Sequence, residues 1–224
     1  MTSSPPAAEP AAAYVSEAKI YPRGVTGRLQ RLRHAAVIWL LGMFYVFPWI
    51  TWDGRQAVLF DLPARKFHIL GLTFWPQDFP LLAMMLIMAA LSLFFFTALA
   101  GRLWCGYACP QTVWTEVFLL IERWTEGDRI DRIKLDAAPW SLNKLRRKGS
   151  KHVLWLLAGL WTGFTFVGFF TPIRDLAMRI SPFAWGGWET FWVLFYGFAT
   201  WGNAGFLREQ VCKYMCPYAR FQSA

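Results

Sequence analysis

Apolar positions gather into four long runs separated by polar and charged stretches. They are "AAVIWLLGMFYVFPWITW" (35–52), "FPLLAMMLIMAALSLFFFTALA" (79–100), "VLWLLAGLWTGFTFVGFFTPI" (153–173) and "WGGWETFWVLFYGFATWGNAGFL" (185–207). Each is about 18–23 residues, long enough as helix to cross ~30 Å of hydrocarbon. Apolar residues follow one another without the alternation of a barrel strand, so helix is the spanning form left. The pattern predicts an all-α, polytopic membrane protein with four transmembrane helices. Glu189 and Asn203 interrupt the fourth run. Both are costly in lipid, so they are expected to face the bundle interior.

The runs repeat as a pair. "VIWLLG" (37–42) matches "VLWLLAG" (153–159), and each opens a helix that ends near a proline, Pro48 or Pro172. Each is followed by an outer connection, a returning helix and the spacing C-x-x-x-C-P. This predicts two repeated hairpins of the same sense, a parallel repeat about the membrane normal. The organisation is then a disordered, basic segment (1–34), a first hairpin (35–110), a cytoplasmic connection (111–152), a second hairpin (153–217) and a short C-terminal stretch (218–224). The Pro/Ala-rich start lacks the apolar core of a signal peptide. In the connection, "QTVWTEVFLLIERW" places Val113, Val117, Leu120, Ile121 and Trp124 at helical spacing. It reads as an amphipathic interfacial helix with Glu116, Glu122 and Arg123 off its apolar face. "EGDRIDRIKLD" reads as a solvated link. Gly159 and Gly163 form G-x-x-x-G, a common helix-contact signal.

Composition sharpens the picture by where the charge sits. The net charge is +9, with 56% hydrophobic residues. Eighteen of the Lys/Arg fall in 1–34, 101–152 and after Leu207, against five on the other side. The positive-inside rule therefore puts both termini and the 101–152 connection in the cytoplasm. Orientation accounts for the basic charge, and no nucleic-acid partner is expected.

All four cysteines lie in the two spacings, Cys105/Cys109 before Pro110 and Cys212/Cys216 before Pro217. They fall on the cytoplasmic side, where thiols stay reduced. Cysteines at i and i+4 share a helix face, which suits two ligands of one metal or a dithiol. A following proline disfavours helix at the second cysteine and frees its sulfur. C-x-x-x-C-P is also the tail of the bacterial ferredoxin run, but each half lacks the two leading cysteines, so only together do they supply four thiolates. Soft thiolates favour copper(I), zinc and iron–sulfur clusters. The two pairs are expected to converge on one site at the cytoplasmic membrane border. Arg102, Arg208, Lys213 and Arg220 are expected to lower the thiol pKa values. His34 and His152 sit at helix starts and His68 in the outer connection; His152 is the weak candidate contact for a quinone or a metal. Met84 and Met88 share a helix face about 25 Å from Cys105, where packing is the better reading.

At "GRLWCGYACPQTVW" and "CKYMCPYARFQ" the chain resembles the FixG/RdxA/CcoG family of cytochrome c oxidase accessory proteins. "KIYPRGVTGR", "PWITWDGRQAVLFDLP", "GLTFWPQDFPLL" and "IERWTEGDR" extend the likeness from about Lys19 to the end. More distantly the layout is similar to NapH-type membrane ferredoxins. The resemblance implies an electron-transfer oxidoreductase of the bacterial inner membrane, serving biogenesis of the cbb3-type oxidase by reducing copper(II) to copper(I). It implies [4Fe-4S] clusters, housed mainly beyond Ala224, with 218–224 beginning that ferredoxin part. It implies the oxidase or its copper-delivery factors as partners, and a homodimer. Carried over by residue are Cys105, Cys109 and Pro110, then Cys212, Cys216 and Pro217. Two other readings stay open: a NapH-like quinol-oxidising module, and a non-catalytic scaffold that chaperones copper(I).

Overall fold

The computed structural model describes residues 21–22, 24–25, 27–100, 103–179 and 185–216. The N-terminal tail through Ile20, Arg102, Pro217, Arg220 and the 218–224 stretch lie outside the described residues.

Helix α1 runs Arg28–Val46 and tightens into a 3-10 turn at Phe47–Trp49, where buried Pro48 stops the ladder. It therefore starts before the apolar run and ends before that run does. Residues Thr51 and Trp52, expected in the first span, instead form strand β1, paired antiparallel with β2 (Arg55–Gln56). Their turn is Asp53-Gly54 with φ of 52° and 74°, the left-handed geometry a two-residue hairpin favours. Strands β3 (Val58–Asp61), β4 (Lys66–Ile69) and β5 (Leu72–Phe74) follow as an antiparallel meander with β4 central. The all-α expectation misses these strands, because a short half-buried meander between two longer apolar runs reads as loop. The meander is pinned to the end of the second hairpin's first helix. Phe60 N donates to Phe169 O at 2.8 Å, Gln56 Nε2 donates to Gly168 O at 2.7 Å, and Gln56 Oε1 accepts from Ile173 N at 3.1 Å.

Helix α2 spans Phe79–Ala100, coincident with the second apolar run. It rests chiefly on the turn before it and on α3 (Leu103–Tyr107), so Met84 and Met88 are exposed, 62% and 54%. Then come α4 (Pro110–Glu126), α5 (Arg129–Ala137), α6 (Leu142–Val167), α7 (Ile173–Met178) and α8 (Gly187–Gly205). The solvated link of the sequence reading is in fact α5. Helix α6 begins at Leu142 rather than near Val153, with Ser141 as its N-cap accepting from Lys144 N. Glu189 does not face a bundle interior. It caps its own helix, Oε2 accepting from Gly186 N at 2.9 Å.

The tightest packing joins α6 to α8. A Cβ on Gly159 would stand 2.7 Å from Gly197 O, and one on Gly163 would collide with Val193 O. The G-x-x-x-G is therefore a real backbone contact. Helix α4 lies across this pair, with Phe118, Trp155 and Ala204 forming a core. Thr162 ties three helices together, bonded to Tyr45 of α1 and accepting from Trp114 Nε1 of α4. Among the described residues one helical stretch, Arg28–Trp49, is long and apolar enough to cross a membrane, and Pro80–Phe96 is a shorter apolar helix.

Candidate thiolate centre

The first cysteine pair straddles a helix break. Cys105 lies in α3, whose end is closed by Ala108 N and Cys109 N both donating to Trp104 O, at 2.9 and 3.0 Å. Cys109 is extended (φ −62°, ψ 127°), as a residue before proline must be to avoid the ring, and Pro110 opens α4. The second pair follows the same plan. Cys212 sits in a widened turn, Val211–Met215, in which Cys216 N donates to Val211 O at 2.9 Å. Cys216 is again extended (φ −82°, ψ 109°). In both motifs the first sulfur is carried on a helical turn and the second is released from it, as the following proline leads one to expect.

The four cysteines are thiols, none in a disulfide; Cys212 is exposed and the others are half-buried. Partial burial pushes the Cys212 thiol up, and the charges of Cys109, Cys216 and Cys105 push it further. Cys212 thus feels the charges of the first pair. Among the described residues, however, no three Cys, His, Asp or Glu side chains stand close enough to hold a metal. The pairs are neighbours rather than a formed cage.

The direction at Cys212 is opposite to the lowering expected from nearby cations: burial is the largest cause, and Arg208 is engaged with other groups. Its Nη1 donates to Glu122 Oε2 at 3.0 Å, its Nε donates to Ala204 O at 3.0 Å, and its guanidinium lies 5.2 Å over the Trp155 ring. Glu122 also meets Arg132 at 3.2 Å and Lys151 at 3.9 Å, while Lys151 reaches Glu126 at 2.7 Å. Glu116 pairs with Arg33 at 2.9 Å and accepts from Gln30 Nε2 at 3.1 Å.

The amphipathic reading of α4 is revised in one respect: its acids are buried. The inward stripe is Val113, Glu116, Phe118, Glu122 and Glu126, whereas Leu120 and Trp124 are exposed. Carboxylates face inward because α1, α5, α6 and the Arg208 segment bring cations to meet them; buried charge is tolerated when paired. The available signal was the acids at 116, 122 and 126 in a chain that carries more basic than acidic residues. Apolar periodicity marked Val113 and Ile121 on the core side but gave no sign of the buried acids.

Gln111, two residues after Cys109, was also missed. Its Nε2 donates to Asn203 O at 3.0 Å and Arg208 O at 3.5 Å, and its neighbour Thr112 donates Oγ1 to Cys105 O at 2.6 Å. His152 is not a solvated helix start. Its ring stacks on Phe206 at 5.9 Å and meets Trp155 and Trp201, and burial lowers its pKa, with Lys151 adding to the effect. His34 sits 3.1 Å from Gln30 Nε2, and His68 pairs with Thr73 Oγ1 on the sheet.

Comparison with known proteins now bears on this arrangement. The 4Fe-4S binding domain family matches residues 81–125. A cubane takes four thiolates, and that stretch holds only Cys105 and Cys109; Cys212 and Cys216 would complete the number, but the described residues do not bring the four into one cage. The chain is 42% identical over 221 residues to the nitrogen fixation protein FixG of Rhizobium meliloti. It is 41% identical over 234 residues to protein RdxB, and 40% over 221 to protein RdxA, both of Cereibacter sphaeroides. These matches cover 94%, 100% and 94% of this chain but only 41%, 48% and 46% of the relatives, so the chain spans less than half their length. No solved structure matches it. With about 40% identity sustained from one end of the chain to the other, it belongs to the FixG/RdxA family.

Proposed function

We propose that this chain is the membrane part of an electron-transfer protein of the bacterial inner membrane, which reduces copper(II) to copper(I) for assembly of a cbb3-type cytochrome c oxidase. The observation that carries the reading is the doubled C-x-x-x-C-P, each second cysteine extended, with Cys212 feeling the charges of Cys105 and Cys109. Four helices cross the membrane in this reading: α1, α2, and the apolar parts of α6 and α8. Both termini are cytoplasmic. The strands β1 to β5 lie on the outer face, and α4, α5 and the cysteines on the inner.

Copper is the substrate. Thiolates are soft and bind copper(I) more readily than hard oxygen ligands do, so holding copper on sulfur favours the reduced ion. Exposed Cys212 meets the ion first, and Cys105, Cys109 and Cys216 complete its coordination. Copper(II) takes one electron and becomes copper(I). The electron would come from a reduced 4Fe-4S cluster held by other cysteines of the full-length protein, since four thiolates that coordinate copper cannot also hold a cubane. The oxidase, or a copper-delivery factor, then takes the copper(I). A homodimer is part of the same proposal.

The test uses anaerobically purified full-length protein, reduced with dithionite and freed of excess reductant, then given copper(II) with a copper(I)-specific chelator. Reduction should fall at least about tenfold when either cysteine pair is replaced by serine. Retention of the wild-type rate in both double variants would remove the cysteines from the reaction. Copper bound without reduction would favour the chaperoning scaffold, and reduction supported by quinol would favour the quinol-oxidising module.

A further inference from the structure

We infer that α4 is the template that sets the distance between the two cysteine pairs, with Gln111 as its principal positioning residue. This rests on the thiolate-centre reading above.

Three contacts converge on this helix. Thr112 Oγ1 donates to Cys105 O at 2.6 Å and so fixes the first motif to the start of α4. Gln111 Nε2 donates to Asn203 O and Arg208 O, the last turn of α8 and the residue four before Cys212. Three turns further along, Glu122 holds the Arg208 side chain at 3.0 Å. The second motif is thus held at two points, by its backbone through Gln111 and by its side chain through Glu122. Both points belong to the helix that begins immediately after Cys109.

The two attachments differ in kind. Glu122 also anchors buried Arg132 and Lys151, so it serves the whole inner face. The Gln111 amide bonds to the second motif's approach, at Asn203 and Arg208. An amide suits this position because it is short, neutral and planar, and its NH2 group offers two donors to two carbonyls. Leucine here fills similar volume but leaves the Asn203 and Arg208 carbonyls without this donor. The segment carrying Cys212 would then be free to drift from Cys109 while the helices stay packed.

The experiment uses the full-length protein with Gln111→Leu, and Gln56→Leu as the comparison. Gln56 likewise bridges distant backbone, donating to Gly168 O and accepting from Ile173 N, but on the outer sheet. Two measurements are made anaerobically. One is the yield of Cys109–Cys212 linkage by a short bifunctional thiol reagent, in proteins where Cys105 and Cys216 are serine, with the linked peptides identified by mass. The other is the cobalt(II) absorption that the protein with all four of these cysteines shows beyond a variant with the four replaced by serine, since tetrahedral four-sulfur coordination has an intense sulfur-to-metal band. Gln111→Leu should lower the linkage yield about fivefold and weaken the cobalt band, with Gln56→Leu unchanged in both. Equal linkage in wild type and Gln111→Leu, or equal loss in both variants, overturns the inference. A wild type that links efficiently but never forms the four-sulfur band refutes the shared metal site and leaves the positioning role supported by linkage alone. A wild type that fails to link overturns both.

Discussion

At the scale of single residues, thiol chemistry and buried charge are the two quantities that matter. Cys212 has its thiol held up by partial burial and by the neighbouring thiolates. Its alkylation rate should therefore rise at higher pH than that of an ordinary exposed cysteine, since a raised pKa means less thiolate at a given pH. Replacing Cys109 by serine removes one like charge and should move the midpoint down part of the way, the burial contribution remaining. An unchanged midpoint would mean that the pairs do not sense each other. Glu122 is the second test. It is 4% exposed and meets three cations, so Glu122→Gln leaves charge buried without a partner and should cost about 3 kcal/mol in thermal unfolding. Trp124→Ala on the same helix, at a side chain 81% exposed, should change stability by less than about 1 kcal/mol. The ion pairs join residues such as Glu122 and Arg208 that lie 86 apart, beyond the reach of any local pattern.

At the scale of elements, the apolar runs located helices well and their ends poorly. Helix α2 covers its whole apolar run, Phe79–Ala100. Helix α6 overruns its start, since "LNKLRRKGSK" is rich in good helix formers and needs no apolarity to be helical. The strands β1 to β5 escaped notice because each is two to four residues long and turns on positive-φ positions, Asp53-Gly54 and Leu70-Gly71. Gly163 decides the α6–α8 contact. Gly163→Ala sets a methyl against the Val193 carbonyl, where no side-chain rotation relieves it. A loss of about 1–3 kcal/mol is expected, measured as a fall in unfolding temperature in detergent. Gly149→Ala on the same helix, with open space around it, should be neutral or slightly stabilising.

At the scale of the whole molecule, orientation and the meeting of the motifs are the issues. In the proposed topology the lysine and arginine distribution places the 53–78 connection and Ala224 on opposite sides. Reporter fusions at the two places should give opposite signals, alkaline phosphatase active in the connection and inactive at Ala224. A periplasmic signal at Ala224 would invert the topology and move the cysteines out of the reducing compartment. The sequence by itself determined the membrane-like apolar runs, the charge asymmetry and the doubled C-x-x-x-C-P. Each of these is a local property: hydrocarbon burial, electrostatic bias and the steric effect of proline on the residue before it. Only the tertiary structure decided that the inner face of α4 is acidic, that Arg208 serves Glu122 rather than the thiols, and that Gln111 spans from one cysteine motif to the other. Those outcomes depend on which helices approach each other. A buried carboxylate becomes tolerable only when packing delivers its cation, and no stretch of sequence read alone contains that partner.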